Sequence, residues 1–438
     1  MKRYFLIIVA LLLATFLTEM KAQDILTLED ALKLGMENNL GLQIARKSEE
    51  IASNNVSRGI SGQLPSVGLN SNASYRVQNT KIEFSSPGIE PVDVRGAGSL
   101  LFGASIDASY VIYGGFRNQY QYELLQGNSA LSSLETRAKL ENIVFQVQSV
   151  YASVQAAAAL EMTAKNAVEV SVERLSRTQE ALRLGTGTSL TMMEAEVALK
   201  QDSVRLAAAQ QSTRIQKRRL NRILQRDPEI DFSVEEEIQF DNALDLELLE
   251  QSALANNAQL NLARRQVENT RISEKIAKAA VWPTVSANVS YGYNRQDNDA
   301  GLIVSQSALG PVGGLSLAFP IFDGGLRNIQ IQNARLALES GELSLSDQEL
   351  QIRTDLANAF DQYQIALEQI EREMSNVRLA ETVLERTRQL IELGQLSQLD
   401  FRTAQLNLQR SMDVLVQYRL TARQAELELM LLSGTLVQ

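Results

Sequence analysis

The side chains that could carry out chemistry in this chain are carboxylates, hydroxyls and amines, because its 438 residues include no cysteine and no histidine. Zinc sites built on histidine or cysteine, triads that need histidine, disulfides and lipid attachment through cysteine are therefore excluded. An enzyme would need a site of carboxylate, serine or lysine side chains, and no such cluster stands out in the sequence. We predict no catalytic residue, no metal site and no cofactor.

Asp400 is the carboxylate with the most informative spacing, because it follows Ser397 by three residues. This spacing is typical of a capping box, in which serine and an acidic residue satisfy the first backbone N–H groups of a helix and the carboxylate favours the helix dipole. The spacing alone therefore assigns Asp400 a structural role at the start of a helix.

The second half of the sequence repeats the first, so each half must be considered as one structural unit. A period above two hundred residues indicates a repeated domain and not a solenoid of short repeats. Matching segments lie 218 residues apart near the start of each repeat, and this offset shortens to 210 and then 209. We expect the eight residues that the second repeat lacks to fall in a loop. The matching segments are 37–39 with 255–257, 64–67 with 282–285, 114–118 with 324–328, and 184–185 with 393–394.

Two stretches without proline, 92–227 and 321–438, are free to form long helices, because proline in a helix interior costs about 3 kcal/mol or more. Apolar residues recur there at every seventh position, with Glu161 as the one polar break. We predict single helices over 117–184 and 327–393, each about 67 residues and about 100 Å long. The seam residues are Leu140, Val147, Val154, Val168, Leu175 and Leu182 in the first copy, and Leu356, Tyr363, Ile370, Val377, Leu384 and Ile391 in the second.

Gly185 and Gly394 follow the long helices and are natural helix stops. Shorter helices, predicted at 189–225 and 397–432, then return along the long ones, so that each repeat carries a long helical hairpin. Upstream, we predict shorter helical pairs at 28–38 with 42–61 and at 246–256 with 260–280. A heptad seam alone is equally compatible with a structural coiled coil.

Four segments alternate apolar and polar residues with a period of two, which predicts strands with one apolar face. Each runs for about ten residues or more, the length that a tilted membrane strand needs, and tyrosines near the ends suit a membrane interface. The apolar positions are Val67, Leu69, Ala73, Tyr75 and Val77; Phe102, Ala104, Ile106, Ala108, Tyr110 and Ile112; Val285, Ala287, Val289, Tyr291 and Tyr293; and Leu315, Leu317, Phe319 and Ile321.

These strands favour a multi-chain membrane barrel over a soluble sandwich with one wet face. Two separated hairpins of small residues cannot make a sandwich core, and four strands cannot close a barrel within one chain. Open edges are not tolerated in lipid, so several copies must close the sheet together. Two, three or four copies would give eight, twelve or sixteen strands, and this reasoning does not choose among them.

The N-terminus predicts export. Met1-Lys2-Arg3 is a positive segment, Tyr4–Leu17 an apolar one, and Ala22 a small residue at which a secretory signal peptide of residues 1–22 would be cleaved. The alternative, a membrane anchor, is disfavoured because the segment is shorter than the ~20 apolar residues that span a bilayer. The net charge of −10 argues against a nucleic-acid partner.

Together these residues resemble the TolC family of outer-membrane efflux proteins over essentially the whole mature chain. Three motifs carry the resemblance: the Leu-Pro or Trp-Pro pair before each first strand, the Gly-Gly-x-Arg-Asn segment at the start of each long helix, and the hairpin turns at 184–188 and 393–397. Each motif is weak alone. Their duplication in the same order makes the combination specific.

The resemblance implies a mainly α fold with membrane β-strands. Three chains would contribute four strands each to one twelve-stranded barrel in the outer membrane, and their helices would continue as a hollow periplasmic α-helical barrel. It also implies a function, the exit duct of a tripartite efflux or type I secretion system that conducts cargo passively. The implied partners are outer-membrane lipid, a periplasmic adaptor (membrane fusion) protein, and an inner-membrane pump or ABC exporter.

In that family the tips of the helical hairpins form the periplasmic entrance and meet the adaptor. Acidic residues just beyond the turn line the entrance, and Asp400 occupies the matching position. If three Asp400 carboxylates converge there, they would repel one another and attract cations, and this role can coexist with the capping box. Thr403 does not supply the second acid sometimes found one turn later, and repeat one offers Thr191 and Glu194, so we expect a thinner or rearranged acidic ring. The resemblance assigns the tip role to Gly185, Thr186, Gly187, Gly394, Gln395 and Leu396, although a plain glycine-assisted turn would need similar residues.

The competing functional hypothesis is a periplasmic coiled-coil adaptor or structural spacer without its own pore, which explains the helices and the export signal but not the one-sided strands.

The predicted domains are a signal peptide at 1–22; repeat one at 23–228, with a β-hairpin at 66–113 and helices at 117–184 and 189–225; and repeat two at 229–438, with a β-hairpin at 284–323 and helices at 327–393 and 397–432.

Overall fold

The computed structural model describes residues 25–85, 87–241, 244–300, 303–393 and 395–437. The predicted signal peptide, 1–22, and the predicted tip residue Gly394 lie outside the described residues. Two short helices, two strands, a long helix and a shorter helix follow one another twice, which confirms the predicted duplicated unit. The elements are α1 Leu28–Asn38, α2 Leu40–Asn54, β1 Ser66–Ile82, β2 Val92–Tyr113, α3 Arg117–Arg183, α4 Ser189–Ile223, α5 Leu246–Asn256, α6 Ala258–Ala279, β3 Thr284–Asn298, β4 Ser305–Ala318, α7 Leu326–Glu392 and α8 Gln398–Ser433.

The two long helices, α3 and α7, each contain 67 residues. Neither contains proline, and each keeps an apolar residue at nearly every seventh position, so nothing in the sequence interrupts them. Part of α3 is apolar enough, by length and composition, to cross a membrane, but 56% of that segment is buried inside the chain. It is therefore a core segment of the fold.

Two elements end earlier than the sequence pattern predicts. Helix α2 stops at Asn54 and not at residue 61. Beyond it, the Ser57 hydroxyl accepts the N–H of Gly59 at 3.2 Å and the N–H of Gln63 donates to the Arg58 carbonyl at 2.8 Å, so turns replace the helix ladder. Strand β4 stops at Ala318 and not near 323, because Pro320 has no N–H to donate to a ladder.

Contacts divide the chain into two compact units that cut across the two sequence repeats. Each unit takes segments from both repeats, and α3 and α7 contribute residues to both units. Unit 1 comprises the described residues of Met1–Lys47, Leu134–Asn261 and Asp347–Gln438, and unit 2 comprises Ser48–Ser133 and Leu262–Ser346.

Unit 2 contains a four-stranded antiparallel sheet with the strand order β1-β2-β3-β4. The two hairpins are joined through β2 and β3, whose ladder runs from Ser99 opposite Asn298 to Tyr113 opposite Val285. Within the described residues the outer edges of β1 and β4 have no strand partner. Pro311 lies in β4, where an edge position tolerates its missing N–H.

The register separates an apolar face of the sheet from a polar one, as predicted. Val67 pairs with Ala108 and Leu69 pairs with Ile106, and Leu69 is 76% exposed. The residues between them face the other way. There the Asp107 carboxylate accepts hydrogen bonds from the amide of Asn70 at 2.6 Å and the hydroxyl of Ser105 at 2.8 Å.

The first hairpin is longer than the second. β1 and β2 contain 17 and 22 residues, whereas β3 and β4 contain 15 and 14. The β1–β2 ladder continues to Ile82 opposite Val92, beyond the pair of Ser99 with Asn298 where the β2–β3 ladder ends. The extra length of repeat one therefore lies in its strands as well as in its loop.

Unit 1 buries part of the predicted heptad seam of α3: Val147 and Val154 are buried, whereas Leu140, Val168, Leu175 and Leu182 are half-buried. Ile143, Val147, Val150 and Val154 of α3 are at most 5% exposed, and they pack in one cluster with residues of α1, α4 and the segment after α4. In the second repeat, Leu356 and Tyr363 of α7 are also buried. Burial of these side chains removes apolar area from water and fixes the rotation of each long helix.

The repeated Asn-Asn motif has a structural reason within unit 1. The Asn39 side chain accepts the N–H of Leu42 at 3.2 Å, and the equivalent Asn257 accepts the N–H of Leu260 at 2.9 Å. Each asparagine thus caps the start of a helix. Its amide nitrogen donates to a carbonyl near the end of a returning helix, from Asn257 to Leu432 at 2.8 Å.

Candidate functional site

The first helix turn joins α3 to α4 and contains the predicted tip residues Gly185, Thr186 and Gly187. Gly185 adopts a left-handed backbone with φ of 76°, which favours glycine. The N–H groups of Thr186 and Gly187 both donate to the carbonyl of Ala181 at 2.9 Å. The Thr188 hydroxyl then accepts the N–H of Thr191 at 3.2 Å and caps α4. The turn is closed mainly by backbone bonds.

The second turn joins α7 to α8, and a reciprocal pair of side-chain bonds caps the start of α8. The Ser397 hydroxyl accepts the N–H of Asp400 at 3.3 Å, and the Asp400 carboxylate accepts the N–H of Ser397 at 2.9 Å. This is the predicted capping box. Before it, the N–H of Gln395 donates to the carbonyl of Leu390 at 2.9 Å. Gly394 lies outside the described residues.

Hydrogen bonds hold Asp400 in its charged form. The Ser397 hydroxyl donates to its carboxylate at 2.6 Å, and this bond, followed by the backbone bond from Ser397, lowers the pKa of Asp400 below its usual range. The carboxylate is exposed at the start of α8. It therefore carries a full negative charge at neutral pH.

The second predicted entrance acid, Glu194, lies on α4 and is exposed. Its charge acts on the guanidinium of Arg174 in α3, whereas Asp400 acts on its own helix terminus. Within the described part of one chain, no hydrogen bond or ion pair joins Glu194 to Asp400. The structure thus places the two acids in separate local roles.

Exposed leucine side chains surround both turns, a feature that periodicity did not predict. Leu184 is 65% exposed and Leu393 is 71% exposed. An exposed apolar patch of this kind commonly marks an interaction surface. The remaining large apolar side chains at the turns are Leu190, Leu396 and Leu399.

A buried ion pair near the turns joins the two repeats within unit 1. Arg402 of α8 donates to both carboxylate oxygens of Asp202 in α4, at 2.6 and 2.9 Å. Ser171 of α3 donates to the same carboxylate at 2.5 Å. The Asp202 and Arg402 side chains are 3% and 11% exposed. The pair fastens α4 to α8, and sequence reasoning missed it because the partners are 200 residues apart.

The architecture matches that of solved outer-membrane channels. It is similar to the outer-membrane channel OprN, with 18% identity, coverage of 93% of this chain and 89% of that chain, and a TM-score of 0.78. VceC from Vibrio cholerae is 19% identical, with coverage of 93% and 96% and a TM-score of 0.75. The open state of MtrE from Neisseria gonorrhoeae is 18% identical, with coverage of 93% and 89% and a TM-score of 0.72. The fold is that of an outer-membrane channel protein.

The sequence also matches the family described as Outer membrane efflux protein, over residues 31–225 and 249–435. The chain belongs to this family, which confirms the resemblance inferred from its motifs. No curated protein sequence matches the chain. Its family and fold are those of outer-membrane efflux channels and not of enzymes. Among the described residues, no group of three or more histidine, cysteine or acidic side chains could hold a metal ion.

Proposed function

We propose that three copies of this chain form the outer-membrane exit duct of a tripartite efflux or type I secretion system. The observation that carries the proposal is the four-stranded sheet, whose apolar face is exposed and whose β1 and β4 edges are unpaired within the described residues. Such a sheet is stable in lipid only when further copies pair its edges. Three copies give twelve strands, as the family resemblance implies.

In this role the chain conducts cargo passively. The polar face of the sheet, where Asn70 and Ser105 both donate to Asp107, suits the wall of a water-filled bore. A periplasmic adaptor connects the duct to an inner-membrane pump or ABC exporter, which supplies the energy. No observation favours the alternative of a periplasmic spacer without a pore.

Planar-bilayer conductance of the purified, cross-linked oligomer tests the duct directly. Two adjacent substitutions give a matched pair, Leu69→Lys on the apolar face and Asn70→Lys on the polar face. A lysine facing lipid costs about 2–4 kcal/mol near the bilayer centre, so Leu69→Lys should lower the amount of assembled protein in the outer membrane. Asn70→Lys should assemble and change the conductance. Recovery of a soluble, non-conducting monomer would favour the spacer hypothesis.

The tips of the helical hairpins are proposed to contact the adaptor. The support is the exposed leucines around the turns that contain Gly185, Thr186, Gly187, Gln395 and Leu396. Leu396→Asp should reduce cross-linking to the adaptor and reduce export, whereas Leu379→Asp, at a more exposed position on the shaft of α7, should leave both unchanged. Equal effects of the two variants would place the contact elsewhere.

Asp400 and Glu194 are proposed to give the entrance an affinity for cations. If three Asp400 carboxylates converge, a trivalent cation should block single channels at low salt, and Asp400→Ala should weaken the block. Ser397→Ala is the matched control, because it removes the hydroxyl of the cap and keeps the charge. Block that is unchanged in Asp400→Ala would reject the role of Asp400, and the same comparison with Glu194→Gln tests the second acid.

Export through removal of residues 1–22 is also part of the proposal. Mass spectrometry of protein extracted from outer membranes should find Gln23 as the first residue. Retention of Met1–Ala22 on the membrane-bound protein would indicate an N-terminal anchor instead.

A further inference from the structure

A groove in unit 1, which we call the Arg174 groove, is bordered by α3, α7 and α8. Its cavity volume is about 190 Å³. Apolar side chains form much of its wall, including Leu384 and Ile391 of α7 and Phe401 of α8, and Arg174 of α3 also borders it. The groove combines a surface for an apolar group with one buried cation.

Arg174 is only 6% exposed, yet its Nε–H finds no acceptor among the described residues. The nearby buried carboxylate, Asp202, is already engaged by two bonds from Arg402 and one from Ser171. The charges of Glu194 and Asp202 attract the Arg174 guanidinium, but within the described residues neither carboxylate accepts a hydrogen bond from it. Burial, and then the charge of Arg402, lower the pKa of Arg174, because both make its positive charge costly.

The acids at the rim do not satisfy this cation. Glu173 pairs with Arg177 at 2.6 Å and with Arg388 at 3.3 Å. Glu381 and Glu385 also border the groove and are exposed. Their charge would repel a ligand with several negative charges, so a ligand with one negative charge fits this arrangement best.

We propose that the Arg174 groove binds a small amphipathic monoanion, with its apolar ring or chain against Leu384 and Phe401 and its carboxylate on Arg174. An apolar cavity of about 150 Å³ accommodates a benzene ring, so a substituted benzoate is of suitable size. A carboxylate there would satisfy a buried guanidinium with charge-assisted hydrogen bonds. This site is additional to the exit duct and does not depend on conduction.

Fluorine NMR of the full-length oligomer in a neutral detergent tests the site, with 4-(trifluoromethyl)benzoate as the probe. The neutral 4-(trifluoromethyl)benzamide and the cationic 4-(trifluoromethyl)benzylamine control for binding to the micelle and to apolar surface. The benzoate should bind saturably. The amide should bind at least about tenfold more weakly, because it lacks the charge-assisted hydrogen bond. Equal binding of the acid and the amide, or no saturable binding of the acid, overturns the proposal.

Variants separate the charge of Arg174 from its packing. Arg174→Gln should abolish saturable binding and Arg174→Lys should retain part of it, whereas Arg183→Gln, at an exposed arginine of the same helix, should change nothing. Glu381→Gln should tighten binding about twofold, because it removes a repelling charge. Phe401→Ala should weaken binding of the acid and leave its preference over the amide. Saturable binding that persists in Arg174→Gln would overturn the proposal.

Discussion

The two helical hairpins have the same order of helices, but different side chains cap their returning helices. Their long helices contain 67 residues each, and their returning helices contain 35 and 36. The first turn relies on the left-handed Gly185 and on two N–H groups that share the Ala181 carbonyl. The second relies on the reciprocal bonds of Ser397 and Asp400. Both turns keep the equivalent backbone bond, from Thr186 to Ala181 and from Gln395 to Leu390, whereas among the described residues the reciprocal bond of a carboxylate occurs at the second turn alone.

The same asymmetry appears in the interior of unit 1. The first hairpin supplies Asp202 and Arg174, and the second supplies Arg402. At the offset of 209 residues, Ser411 corresponds to Asp202 and Met193 corresponds to Arg402, so neither charge is repeated. The ion pair thus joins the two hairpins without being duplicated. Because the residues at these positions differ between the hairpins, one hairpin can form an ion pair with the other.

The largest expected effect comes from removing one member of this pair. Asp202→Ala leaves the Arg402 guanidinium buried without its partner and should cost roughly 3–5 kcal/mol, measured by chemical denaturation of the purified oligomer. The double variant Asp202→Leu with Arg402→Met should regain most of the loss.

The exposed ion pair of Arg205 with Asp413, which also joins α4 to α8, is the control for this prediction. Because the Arg205 side chain is 47% exposed, Arg205→Ala should cost about 0–1 kcal/mol. A small loss in Asp202→Ala, similar to that of Arg205→Ala, would contradict the importance of burial.

The next effect tests the backbone of the first turn. Gly185→Ala places a side chain at a φ of 76° and should destabilise the turn by about 1–2 kcal/mol. Gly185→Asn should cost less, because asparagine tolerates the left-handed region. Hydrogen exchange of the amides of Thr186 and Gly187 measures both. Identical exchange in the alanine variant and the native protein would show that a side chain at position 185 does not strain the turn.

A smaller effect is expected at the second turn. Ser397→Ala removes the hydroxyl that accepts the N–H of Asp400, and the loss of such a cap costs about 1 kcal/mol. Exchange in the first turn of α8 should accelerate accordingly. Thr188→Ala removes the cap of α4, which has no carboxylate partner, and should have the milder effect. The opposite order would show that the capping box adds nothing beyond a single hydroxyl.

The smallest effect is a dependence on pH confined to the second turn. The pKa of Asp400 lies below its ordinary value of 3.8 in the folded chain, so the carboxylate stabilises the folded state above that value. This contribution is lost as the pH falls through the lowered pKa. Protection of the α8 amides should therefore decline between about pH 5 and pH 3, and Asp400→Asn should abolish the dependence. The first turn, whose cap is a threonine, should not respond.

Local patterns predicted the elements of this fold well. The heptad spacing and the absence of proline placed α3 within one residue of its observed end, because helix formation depends on neighbouring residues. The spacing of Ser397 and Asp400 predicted the capping box for the same reason. Both features are encoded within a few turns of chain.

Long-range contacts could not be predicted in this way. The pairing of β2 with β3 and the bond between Asp202 and Arg402 depend on how distant segments pack, which no period in the sequence specifies. The compact units also cut across the repeats, a division that no period in the sequence specifies. The exposed leucines at the turns lie outside the heptad positions, and only their accessibility in the structure distinguishes them.

The end of the first hairpin stands outside the four-stranded ladder, since the pairs from Thr80 with Val94 to Ile82 with Val92 have no neighbour in β3. Residues can be inserted or deleted there without cutting a hydrogen bond of the shared sheet. This ribbon is consequently the part of the sheet whose length can change while the pairing of β2 with β3 stays the same.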